Sequence, residues 1–69
     1  MGSGEWYQEK KEAELAYDAG RISTEIYERR IRFAIGMIYK CGDVNDKEAA
    51  ERMAKAHGYD IKELIRQVM

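Results

Sequence analysis

Between Thr24 and Cys41 the apolar residues Tyr27, Ile31, Ala34, Ile38 and Cys41 recur at alternating spacings of three and four, with Ile35 at the edge of the same set. Only an α-helix stacks that spacing on one side. Ile26, Phe33 and Met37 widen the face in the other direction. At roughly 100° per residue the apolar arc covers about 200°, against the ~100° stripe that a surface helix needs. Such a helix is either wrapped on more than one side by its own chain or shares part of its arc with a partner. The other segments must therefore pack around it.

Their boundaries are written in the turn residues. In AYDAGRISTEIYERR a first helix, over residues 5–19, closes at Gly20, which can take the left-handed conformation without a Cβ clash. Ser23 then caps the next helix, over 24–41, and Ile22 and Tyr27 stand at the positions of a hydrophobic staple. In the first segment Trp6, Ala13 and Tyr17 share a face, with Leu15 and Ala19 nearly opposite. GDVND ends the second helix at Gly42 and offers Asn45 as the cap of a third, over 46–57, with Glu48 reaching back. Ala50, Met53 and Ala54 form its inner face. HGYD breaks the chain again, with Asp60 as cap, Glu63 three residues on, and Tyr59 and Leu64 as a second staple. The last helix, over 61–69, carries Ile61, Leu64, Ile65 and Val68 on one side. There is no proline and no alternating apolar pattern, so the expected class is all-α: a bundle of three to four short helices.

Sixty-nine residues make one domain, and a chain this short buries only about 60% of its unfolded surface, so a second subunit or a partner would add to its stability. Cys41 is the single cysteine, which excludes an internal disulfide and favours a reducing, intracellular and cytoplasmic setting. Twelve basic residues against thirteen acidic ones leave a formal charge of −1 and no global field for a polyanion. The longest apolar run, FAIGMIY, is far short of the roughly 20 residues of a membrane span, and no signal-peptide pattern precedes it. MGSG, residues 1–4, has the composition of a tag or linker.

No pair of side chains makes an acid–base or nucleophile set, so the expectation is a protein that is not an enzyme and uses no cofactor. Cys41 has no basic or acidic helper nearby and is expected to be a small buried apolar residue. His57 with Asp60 and Glu63 lacks the second His or Cys that a metal site needs. DVNDKE departs from a calcium loop at Lys47 and Glu48. Arg29, Arg30, Arg32 and Lys40 form a basic stretch whose simplest role is to solvate the outer face. Arg30 is the exception, because it falls inside the apolar arc, where it either snorkels or meets an acid across an interface.

Two stretches resemble known families. LAYDAGRISTEIYERRI, residues 15–31, resembles the helical hairpin of SHOCT-type modules, in which a helix closes on a glycine and an acidic-aromatic turn opens the next. That resemblance implies oligomerisation or protein contacts. AKAHGYDIKEL, residues 54–64 within 48–68, resembles the corner of a helix-turn-helix DNA-binding motif, which implies a last helix that reads the major groove.

The first functional reading is an interaction or self-association module, with Ile26, Arg30, Phe33, Met37, Trp6 and Tyr7 meeting a protein partner or a second copy. The alternative is a small DNA-binding regulator that uses Lys62, Arg66 and Gln67, with Arg29 and Arg32 on the backbone. It ranks second because Asp60 and Glu63 offset Lys62 and Arg66, and a net-neutral helix gains little from phosphates. A third reading is an engineered helical protein, against which Cys41, His57 and the methionines argue.

Overall fold

The computed structural model describes residues 4–69, which form four α-helices: α1 Gly4–Asp18, α2 Thr24–Cys41, α3 Val44–His57 and α4 Ile61–Val68. No strand occurs among the described residues. Residues 1–3 of the expected linker lie outside that range, and Gly4 opens α1 rather than preceding it.

The helix ends follow from local chemistry. Gly20, at φ 73°, and Gly58, at φ 78°, take the left-handed conformation. Each closes its helix with a paired motif. Arg21 N donates to Ala16 O at 2.9 Å and Gly20 N to Tyr17 O at 3.0 Å; Tyr59 N donates to Ala54 O at 2.8 Å and Gly58 N to Lys55 O at 3.1 Å. Ser23 Oγ accepts from Ile26 N at 3.2 Å and caps α2.

The cap of α3 differs from the sequence expectation. It is Asp43, not Asn45, so the helix starts at Val44, two residues early. Asp43 Oδ1 accepts from Asp46 N at 3.0 Å, and Asp46 Oδ2 accepts from Asp43 N at 3.2 Å. With the cap at Asp43 the third helical position falls on Asp46 and Glu48 lies two residues too far on, so a second aspartate closes the reciprocal box that Glu48 was expected to close. Asp60 caps α4 by accepting from Lys62 N at 3.0 Å, while Glu63 turns to Arg66 instead of back to the cap.

α2 is the centre, with α1, α3 and α4 packed on it. Ala13 of α1, Ile31, Ile35 and Ile38 of α2, Ala50 and Ala54 of α3 and Leu64 of α4 form one buried cluster. Ile31, Ile35, Ile38 and Leu64 are fully enclosed, each contributing about 1.5–3 kcal/mol by burial. The alanines on α1 and α3 keep those helices close. Gly36 does the same for α4, since a Cβ there would lie 2.8 Å from Leu64 O and 3.0 Å from Val68 Cγ1.

Two contacts tie the periphery. The Tyr7 hydroxyl donates to Asp46 Oδ1 at 3.1 Å, joining α1 to the start of α3. Lys40 Nζ donates to Val68 O at 3.0 Å, so this member of the basic stretch closes the end of α4. Cys41 corrects its expectation: it is a free, exposed thiol. It ends α2, where the apolar arc runs past the helices that cover it.

Candidate interaction face

The part of the α2 arc turned away from the core is only partly covered. Phe33 is 45% exposed, and so is Ile26. Trp6, in the first turns of α1, packs against the core and meets Phe33 edge to face, with ring centroids 5.4 Å apart and planes at 69°. Such pairs add about 0.5–1.5 kcal/mol beyond area burial. Trp6 and Phe33, with Glu9, Arg29, Arg30 and Ala34, line a groove of about 370 Å³. A second groove, of about 590 Å³, runs on toward the α1–α2 connection and is lined by Glu12, Leu15, Ala16, Ala19, Arg21 and Arg30. Arg30 belongs to both, so the two grooves meet along the seam between α1 and α2. Leu15 stands 59% exposed at the side of the second groove.

The charges on this seam are segregated. α1 supplies Glu9 and Glu12, and α2 supplies Arg29 and Arg30. Among the described residues the ion pairs are Lys10–Glu14 at 3.0 Å and Glu63–Arg66 at 3.2 Å, so none of these four groups has an ion-pair partner there, although Glu12 accepts a hydrogen bond from Gln8 Nε2 at 3.3 Å.

The residues expected to meet a protein partner are distributed as follows. Trp6, Arg30 and Phe33 line one groove. Ile26 is exposed one turn before Arg30, and Met37 is half-buried one turn after Phe33, so both extend the same stripe of α2 without lining either groove. Tyr7 points elsewhere, to Asp46 of α3. Glu9, Glu12, Ala16 and Arg21 were not singled out by the sequence. The signal available was the pairing of Leu15 with Ala19 on the side of α1 away from Ala13.

The residues of the nucleic-acid alternative are also placed. Lys62, Arg66 and Gln67 are exposed on α4, with Arg66 held by Glu63. The Arg32 guanidinium lies 5.8 Å from the centre of the Tyr59 ring, and Arg29 lines the Trp6 groove. His57 stacks on Tyr59 at 5.7 Å. Among the described residues no three His, Cys, Asp or Glu side chains come together in a group that could hold a metal ion.

The fold shifts the pKa of three tyrosine hydroxyls upward. Burial raises the hydroxyl of Tyr7 above its ordinary 10.0, and the hydrogen bond to Asp46 raises it further. Burial is also the leading cause of the upward shifts at Tyr27, reinforced by Glu14, and at Tyr59, reinforced by Glu28. None of the described helices is long and apolar enough to cross a membrane. No protein-family model, curated protein or solved structure matches the chain.

Proposed function

We propose that this chain is a non-catalytic protein-interaction module that engages its partner through the α1–α2 face. The observation that carries this reading is Phe33, a large aromatic left 45% exposed beside Trp6 at the head of a groove flanked by Arg29 and Arg30. Aromatic and arginine side chains at the centre of a partly apolar depression are the groups that dominate binding energy at protein interfaces. Leu15 and Ile26 extend the apolar surface beyond what a lone exposed residue would offer.

The test is a photoreactive phenylalanine analogue placed at Phe33 and, as a control, at Glu51 on the solvent side of α3, in cells that make the protein. Defined protein adducts from position 33 and none from position 51 are expected. Equal labelling from both positions would refute the reading.

A further inference from the structure

The two helices of this face carry opposite charges, and from that we infer that its occupant is a second copy of the same chain, related by a two-fold axis running along the α1–α2 seam. The inference rests on the interaction reading of the face. Glu9 and Glu12 are exposed on α1, Arg29 and Arg30 on α2, and none of the four has an ion-pair partner among the described residues. An axis along the seam turns the second copy so that its α1 lies over α2 of the first, at the same height. Acids then face guanidiniums, and symmetry makes each such contact twice. An axis across the seam would instead stack α1 on α1, placing carboxylates over carboxylates, which electrostatic complementarity disfavours.

The apolar groups fit the same arrangement. Trp6 and Phe33 at one end of the seam, and Leu15 further along α1, would come level with their own counterparts in the second copy. The fifteen residues of α1 give about 22 Å of seam, and two helices side by side are about 20 Å across. That footprint, about 440 Å² per copy and roughly 900 Å² in all, is below that of stable interfaces and in the range of transient ones, so the dimer is weak and concentration-dependent. A net charge of −1 per chain opposes pairing only weakly.

The experiment is light scattering over a dilution series on four samples: the unaltered protein, Glu9→Arg with Glu12→Arg, Arg29→Glu with Arg30→Glu, and an equimolar mixture of the two reversed proteins. Circular dichroism confirms the fold of each; if a double reversal loses its helical signal, Glu9→Arg and Arg30→Glu are used singly. The unaltered chain is expected to pass from one to two chain masses with concentration. Each reversal should weaken that by about tenfold or more, and the mixture should recover a two-chain species. A single chain mass at every concentration, a dimer indifferent to both reversals, or a mixture that fails to pair would each overturn the inference. If the chain is monomeric while position 33 crosslinks to a different protein, the second copy is refuted and the interaction face stands. A monomer with no adduct removes both.

Discussion

The Tyr7 hydroxyl reaches Asp46 Oδ1 at 3.1 Å across 39 positions of sequence, while the other oxygen of the same carboxylate closes the cap of α3. One side chain thus holds both the docking of α1 and the first turn of α3. Tyr7→Phe removes the first function only and is expected to cost about 0.5–1.5 kcal/mol. Asp46→Ala removes both and should cost more, since a lost cap alone is worth about 1 kcal/mol. Urea unfolding of the two variants measures the difference, and equal losses would show that the cap contributes nothing.

Gly36→Ala would normally favour a helix interior by about 1 kcal/mol. Here the added carbon meets the backbone of Leu64 at 2.8 Å, and α4 must move to admit it. Overpacking of this kind costs about 1–3 kcal/mol, so a net loss is expected. A raised melting temperature for this variant would show that α4 shifts freely.

Alkali should weaken the fold in part through its tyrosines. Tyr7, Tyr27 and Tyr59 all have folded pKa values raised above 10.0. The unfolded chain therefore loses these protons first, so the stability they contribute is complete below pH 10 and falls as pH climbs through the folded values. Unfolding free energy measured from neutral pH upward should decline above about pH 10. Tyr7→Phe should make that decline shallower; an unchanged slope would remove Tyr7 from the account.

Phe33→Glu is expected to leave the helical signal intact and abolish association, because Phe33 meets the Trp6 ring but lies outside the buried cluster. Joint loss of fold and association would make Phe33 a core residue.

On α4, Arg66 already has a carboxylate partner in Glu63. Titration with duplex DNA is expected to show no steep salt dependence. A steep slope that disappears with Lys62→Ala and Arg66→Ala together would restore the DNA-binding alternative.

What was legible in the sequence was what depends on near neighbours. Gly20, Ser23, Asp60 and the three–four spacing of Ile31, Ala34 and Ile38 each act within a few residues, and they mark the helices and the inner face of α2. Asp43 was hidden because three polar residues in DVND can all cap, and both Asp43 with Asp46 and Asn45 with Glu48 have the spacing of a capping box. Cys41 fits the apolar arc by angle but not by height, since burial needs a neighbour at that level of the bundle. The seam was visible only in part. Phe33 and Arg30 stand out on α2 alone, whereas Glu9 and Glu12 acquire meaning once α1 is laid antiparallel beside Arg29 and Arg30.

The way the helices pack also sets how quickly the chain can assemble. α1 and α3 both rest on α2, their neighbour along the chain, while α4 returns to α2 and touches α3 only slightly, so the larger part of the structure joins consecutive segments. Little loop entropy is spent before contacts form, which places the protein among small helical domains that fold in microseconds to milliseconds. With no proline in the sequence, no peptide-bond isomerisation slows that search. The contacts of α4 beside Gly36 and of Tyr7 with Asp46 are the ones that link segments far apart in the chain.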